Sequence, residues 1–271
     1  MPNPNPGLMQ TIRPFSLQHA RALPGGTSPL AISMLVPLLK SSYGWFDDEF
    51  IQGLDTTRWT TAVTAGGGPT PFAYNAIRGG VIQGATGTTD NDATAISLAQ
   101  TFLDPDDNPF MLIQWRANAV TGFSFEIGFS DPKTDEALPG VTDVDTPTVG
   151  NGVTDMLAVH MDTDQTLTAA ALVGDGTTGA AVKQDLYLGG PGGSTRYTPT
   201  AAAWQTYLIG VRDNLGYVSI WDGDGFVGHF SASNGPDGGV LVRPYALFRT
   251  RNTVTKTIDI RKICVGWEQN G

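Results

Sequence analysis

GFSFEIGFS, residues 122–130, is the stretch whose reading decides the fold. Phe123, Phe125, Ile127 and Phe129 take every second position, and Ser124, Glu126 and Gly128 fill the gaps between them. Side chains of an extended strand alternate between its two faces, so this spacing puts four large apolar groups on one side. A helix of 3.6 residues per turn would scatter them around its circumference. The segment therefore reads as a strand with one face in a core. Glu126 belongs to the other face, where the expectation is a solvated surface carboxylate.

Outward from this segment the same texture continues. FMLIQWRANA, residues 110–119, is a second strand and is expected to pair with the first. Downstream, GVTDMLAVHM (152–161), TLTAAALV (166–173) and residues 180–188 read as strands, with an acidic Pro/Gly-containing excursion over 131–152. WQTYLIGV (204–211), LGYVSIW (215–221) and GFVGHFS (225–231) form a meander with short Asp/Asn/Gly turns of the kind that reverse antiparallel strands. Residues 240–250 and 255–267 close the chain as two long strands. Upstream, Thr60–Val63, Ala76–Ile82 (broken at Gly79–Gly80) and Thr94–Phe102 are strand candidates, and residues 43–59 read as an acidic, aromatic turn region. No segment keeps helical periodicity over four turns, and 34 glycines with 18 prolines supply the turns. The class is all-β, a two-sheet antiparallel β-sandwich. No repeat of fixed period points to a propeller or a β-helix.

Residues 1–44 differ from the rest and read as an extended N-terminal arm before a domain at 45–271. Seven prolines between Pro2 and Pro37 deny it a long helix or a central strand. Residues 1–46 hold Arg13, Arg21 and Lys40 and no acid, on a chain of formal charge −10. Phe15 and the run LAISMLVPLL (30–39), with Leu35 and Leu38, give the arm apolar surface that needs a partner, in cis or in trans. Arg13, Phe15, Arg21, Leu35, Leu38 and Lys40 are accordingly the candidate interface residues, and a homo-oligomer is expected. The acidic body excludes a nucleic-acid partner, since such binding draws on Lys and Arg contacts to phosphates. The ten-residue apolar run is too short to span a bilayer and is broken by Pro37, so no membrane role is expected. MPNPNPG lacks the charged-then-apolar layout of a signal peptide, and the one cysteine forms no intramolecular disulfide; synthesis in a reducing cytoplasm fits both. Cys264, between Ile263 and Val265, reads as a small buried apolar residue.

Three local patterns in order resemble the concanavalin A-like jelly-roll superfamily of legume-type lectins, laminin-G-like modules and bacterial β-glucanases. Asp47-Asp48-Glu49-Phe50, then Leu54-Asp55 and Arg58-Trp59, is similar to the start of such domains. Trp204, Tyr207, Ile209 and Val211, then Asp213-Asn214, Tyr217-Val218, Ile220 and Asp222-Gly223, is similar to their strand–turn–strand hairpin. Ile258-Asp259-Ile260 with Ile263 and Val265 resembles their last core strand. The resemblance implies the fold over residues 45–267 and leaves the activity open. Glucanase members carry two or three acids on one strand face, whereas residues 122–130 hold Glu126 alone, which cannot be both nucleophile and general acid. No enzyme is therefore expected.

Other constellations are equally sparse. His19, His160 and His229 have no metal-like spacing. Asp162/Asp164 and Asp222/Asp224 stand at i, i+2, which suits a hard cation such as calcium, yet Asp-Gly-Asp-Gly is also a good turn; no metal or cofactor is expected. No Gly-x-Ser-x-Gly elbow is present, and the glycine-rich 189–194 lacks the lysine of a phosphate loop, so it reads as a flexible surface loop. Trp45, Trp204, Trp221 and Trp267 are available to line a sugar platform, and Trp45 and Trp221 are the candidate glycan contacts. The functional expectation is a non-enzymatic virion structural protein of a tailed bacteriophage, a capsid decoration or tail-associated protein made in the host cytoplasm. It would attach to a major capsid or tail protein through its arm and sandwich surface, as a trimer by analogy. The alternative is a carbohydrate-binding module or host-glycan adhesin.

Overall fold

The alternation in residues 122–130 is realised as a strand, Phe123–Ser130, whose four apolar side chains are wholly buried. The computed structural model describes residues 43–66, 68–76, 80–143, 148–176, 182–223, 225–232 and 234–268. In chain order the strands are β1 (Tyr43–Asp48), β2 (Trp59–Val63), β3 (Thr70–Tyr74), β4 (Ile82–Ala85), β5 (Ala93–Leu98) and β6 (Phe110–Ala117). There follow β7 (Phe123–Ser130), β8 (Val141–Asp143), β9 (Thr148–Val149), β10 (Asp155–Asp162), β11 (Thr166–Asp175) and β12 (Val182–Asp185). The last five are β13 (Gln205–Arg212), β14 (Leu215–Asp222), β15 (Gly225–Ser231), β16 (Arg243–Thr250) and β17 (Thr257–Glu268). A single 3-10 turn at Pro105–Asp107 is the one helical element among the described residues.

Two antiparallel sheets face each other. Sheet A runs β15-β14-β13-β6-β17-β4-β3, with β1 also paired to β17, and sheet B runs β12-β11-β10-β7-β16-β5-β2. The expected all-β two-sheet sandwich of jelly-roll type is the observed architecture. The expected pairing of residues 110–119 with 122–130 is not. β6 pairs with β13 and β17 in sheet A, whereas β7 pairs with β10 and β16 in sheet B. The physical reason is that both strands carry a strong apolar face, and the short link between them lets the chain cross from one sheet to the other. Those faces then meet across the core: the Trp115 ring lies 5.0 Å from Phe125, 5.6 Å from Tyr207 and 5.3 Å from Phe248. Such contacts between rings add to the area they remove from water.

Two further expectations fail at the N-terminal end. Residues 43–48 are not a turn region but β1, paired in register with Ile263–Glu268 of β17. The strand expected over residues 76–82 is met only at Ile82, the first residue of β4, which pairs with Tyr74 of β3; Asn75 N–H donates to Val81 O at 2.9 Å just before it, and residues 77–79 lie outside the described residues. Pro71 obscured β3 in the sequence. It is tolerated because β3 is the edge of sheet A, where a missing N–H breaks no ladder. The meander is as expected. Asp213 and Asn214, with φ of 50° and 61°, form a two-residue turn between β13 and β14. Cys264 is buried, in line with its apolar neighbours.

Arg13, Phe15, Arg21, Leu35, Leu38 and Lys40 lie outside the described residues, as does His19. The glycine-rich loop at 189–193 is tied down rather than free. Gly189 N–H donates to Val227 O at 2.7 Å, and a Cβ on Gly228 would meet Gly190 N at 2.7 Å, so the loop covers the edge of β15.

Candidate functional site

Each sheet has an outer face, and the two differ in chemistry. On sheet B the outer positions of β7 are Ser124, Glu126, Gly128 and Ser130, opposite Asp162, His160, Ala158 and Met156 of β10. This face is not solvated. Residues 131–143 and 148–153, with the small β8–β9 pair, fold back over it and pack Val141, Val149 and Val153 on Met156, Ala158, Leu172 and Tyr245. Glu126 is 1 % exposed, so the expectation of a surface carboxylate is corrected. Its position on the non-core face is as read. What buries it is a segment whose path the strand itself does not specify.

Glu126 is met by five donors. Lys133 Nζ lies 2.9 Å from Oε1, Gly140 N–H 2.8 Å and the Tyr245 hydroxyl 2.8 Å. Val141 N–H donates to Oε2 at 3.0 Å, and His160 Nδ1 lies 3.2 Å from it. Burial alone would raise this carboxyl, but Lys133, His160 and the Gly140 N–H outweigh it and hold the group well below the usual carboxylate range. Burial pulls the Lys133 ammonium down, and Glu126 only partly restores it. Burial, then Glu126, keeps Tyr245 a neutral phenol that can donate. One residue along the strand face, Ser124 and Asp162 hold Arg249 at 3.0 and 3.3 Å, and Arg251 clasps the same Asp162. The acids of this face are thus consumed in fastening the excursion and the strand ends. Asp162, proposed above as half of a cation pair, is taken by two arginines. Asp222 accepts from Thr200 N–H and Gln205 Nε2, both at 2.8 Å, and Asp224 lies outside the described residues. Among the described residues no group of three His, Cys, Asp or Glu is placed to hold a metal.

The outer face of sheet A has two halves. Cross-strand register sets Leu112 of β6 beside Leu208 of β13 and Cys264 of β17, with Trp221 of β14 completing an apolar cluster. Phe110 lies over Gly266 and Tyr217 over Gly210, positions where a Cβ would strike the ring at 2.5 Å in each case. Trp221, one of the two candidate glycan contacts, is 4 % exposed, its ring packed within this cluster. Trp45 is half-buried at the cluster's margin.

At the other half of the same face stands Trp204, half-buried just ahead of β13. The Arg116 guanidinium lies 4.6 Å from its ring centroid and that of Arg261 4.5 Å. Arg116 donates through Nε and Nη2 to Asp259 Oδ2 at 2.9 and 2.8 Å, and Gln83 donates to Asp259 Oδ1 at 2.7 Å. Arg261 Nε donates to Gln114 Oε1 at 2.9 Å. The register of β17 against β6 shifts between Ile260 and Lys262, which makes Arg261 the extra residue of a β-bulge. Bulges re-aim a side chain in this way beside functional sites. Trp204 was among the tryptophans read as platform material; Arg116, Arg261, Gln114 and Gln83 were not noticed. Their signal was only that each occupies the polar phase of an alternating strand.

A third concavity, about 640 Å³, lies along the β1–β2 connection and is lined by Asp47, Asp48, Glu49, Asp55 and Arg58 among others. Its acids already have structural partners: Asp48 accepts from Trp59 Nε1 at 3.0 Å, Asp55 from Thr57, and Lys262 bridges Asp47 and Glu49 at 2.9 and 3.1 Å.

No protein-family profile and no curated protein matches the chain. Solved structures do. A protein of unknown function from Shewanella oneidensis MR-1 superposes with a TM-score of 0.54 at 11 % identity, covering 90 % of this chain and 96 % of that one. The Ca2+-bound exoplasmic/lumenal domain of VIP36 gives 0.53 at 11 % identity, over 83 % and 90 %. The CBM2 module of the evolved Dit of Lactobacillus casei BL23 phage J-1 gives 0.50 at 11 % identity, over 85 % and 98 %. At such identities the likeness is one of fold, and the fold is the concanavalin A-like jelly roll.

Proposed function

We propose that this chain is a non-catalytic carbohydrate-binding module, and that the Trp204 half of the outer face of sheet A is where the glycan binds. One observation carries this. A half-buried indole stands among planar hydrogen-bonding groups, Arg116, Arg261, Gln114 and Gln83, on an otherwise regular sheet face. Saccharides present apolar C–H faces and hydroxyl edges, which an amphipathic ring bordered by amide and guanidinium groups matches. The absence of catalysis is supported by Glu126, whose carboxylate is filled by five donors under the excursion. The fold likeness to VIP36 and to the CBM2 module agrees with a binding role. The test is a glycan array with the full chain, followed by titration with Trp204→Ala, checked for fold by circular dichroism. Binding that the folded variant loses is the expected result; undiminished binding by Trp204→Ala would overturn the site, and no binding by any glycan would overturn the function.

A second reading, a virion structural role, is favoured by the likeness to the phage J-1 module alone. The two readings are compatible: a glycan module can be displayed on a tail or a capsid. Co-sedimentation of the full chain and of a chain lacking residues 1–40 with purified particles tests it. Equal attachment of both would refute attachment through the arm.

A further inference from the structure

We infer that residues 30–39 of the same chain, LAISMLVPLL, are the cover of the apolar half of the outer face of sheet A. The segment itself lies outside the described residues. The face is the first ground. Register aligns Trp45, Gly266, Phe110, Gly210 and Tyr217 in one row across five strands, and Cys264, Leu112 and Leu208 in the next. The rings of Trp45, Phe110 and Tyr217 are only half-buried. Leu215, two residues before Tyr217, and Phe226, 5.4 Å from Trp221, extend the apolar surface at 48 % and 54 % exposed. On sheet B the corresponding apolar cluster takes Val141, Val149 and Val153 from segments lying over the strands. On sheet A every described member belongs to a strand of the sheet itself. A contiguous apolar surface of this kind marks a contact face.

The second ground is where the chain enters the sheet. β1 starts at Tyr43 and carries Trp45 into the cluster, so the apolar run ends four residues before the strand at the cluster's margin. Four residues reach at most about 14 Å, which tethers Leu39 close to β1. From β1 through β17, β6 and β13 to β14 the apolar surface crosses four strand spacings, about 19 Å. Ten extended residues span up to about 33 Å, so the run is long enough to cross it. The chemistry matches as well. Ser33 is the one polar side chain within residues 30–39, and the run holds no charge. The short tether favours the same molecule over a second copy, since it presents the run at a concentration on the order of millimolar. Leu35 and Leu38 then serve within the molecule, and Arg13, Phe15 and Arg21 remain to reach a partner.

The experiment places p-azidophenylalanine at Tyr217 or at Phe226 in the full chain and irradiates it. Cross-links that map to residues 30–39 of the same molecule, in equal yield after about hundredfold dilution, are the expected result. Leu35→Asp combined with Leu38→Asp in the full chain, its fold checked by circular dichroism, should cut that yield at least tenfold. In the same variant Cys264, 2 % exposed on this face, should react with Ellman's reagent at least tenfold faster than in the native chain. Cross-links to another segment, or none at all, would overturn the inference. Links between two molecules that fade on dilution would overturn it too, because the cover would then be a second copy. A folded double variant whose cross-linking and Cys264 labelling equal the native chain's would also sink it. If the double variant does not fold, the cross-links formed by the unaltered run decide the matter alone.

Discussion

Replacing Glu126 by alanine should be among the most damaging single changes in this protein, although no catalytic role is assigned to it. The substitution removes a carboxylate that five donors address and leaves the Lys133 ammonium 1 % exposed. What then remains for Lys133 is Leu138 O at 3.4 Å and the Tyr245 ring at 3.7 Å. Breaking one side of a buried ion pair costs about 3–5 kcal/mol. The N–H groups of Gly140 and Val141 also lose their acceptor, at about 1–3 kcal/mol each if they stay dry. The terms are not additive, because loosening the excursion admits water to both; a net loss of about 4–6 kcal/mol is expected. Against a domain stability of about 5–15 kcal/mol this is roughly a quarter or more of the total. Urea unfolding at neutral pH reads it directly, and the melting temperature should fall by about 10–20 °C for a domain of this size.

The control is the pair Glu126→Met with Lys133→Met. Removing both charges takes away the cost of the unpaired ammonium but still leaves the Gly140 and Val141 N–H groups without their acceptor, so the double variant should lose clearly less than the sum of its singles. The reasoning would be refuted by a Glu126→Ala loss under about 1 kcal/mol, or by a double variant as unstable as the sum of its singles.

Because the folded carboxyl of Glu126 is held well below its ordinary value of 4.5, its contribution is present above that pH and is lost as pH falls toward the folded value. Native protein should therefore show an acid-side loss of stability that Glu126→Ala lacks, measured by urea midpoints between about pH 3 and 6. Gly128→Ala should abolish folding or cost more than about 3 kcal/mol, since its Cβ would lie 2.0 Å from Leu157 O of the neighbouring strand and backbone cannot step aside. Yield of folded protein and thermal melting check it, and a well-folded variant would mean that β7 and β10 are spaced otherwise. Burial, with Asp47 adding to it, pushes the Cys264 thiol up to about 12. It should therefore stay unreactive toward Ellman's reagent at pH 8 and titrate fully in denaturant; rapid native labelling would show that the apolar half of the sheet A face is open.

The alternation at 122–130 was legible because a strand's two faces are a local property. Successive side chains point opposite ways whatever the partner strand is. The meander at 204–231 was legible for the same reason, its turns being set by neighbouring residues such as Asp213 and Asn214. Which strand lies beside which was not legible. β6 and β7 are adjacent in sequence and carry the same signal, yet they pack face to face across the core instead of pairing edge to edge. β3 was hidden by Pro71, whose cost vanishes only at an edge, and being an edge is a fact about the whole sheet.

The candidate site divides along the same line. Sequence by itself determined that Glu126 lies on the non-core face of its strand and that Cys264 is buried. Only the tertiary structure decided that Glu126 is dry, because that depends on the 131–153 excursion returning over sheet B to supply Lys133 and two backbone donors. Only it brought Arg116, Trp204, Asp259 and Arg261 together, from strands 143 residues apart in the case of Arg116 and Asp259. Phase along a strand follows from backbone geometry within a few residues. Burial, pairing and charge neighbours depend on which distant segments the fold sets against it.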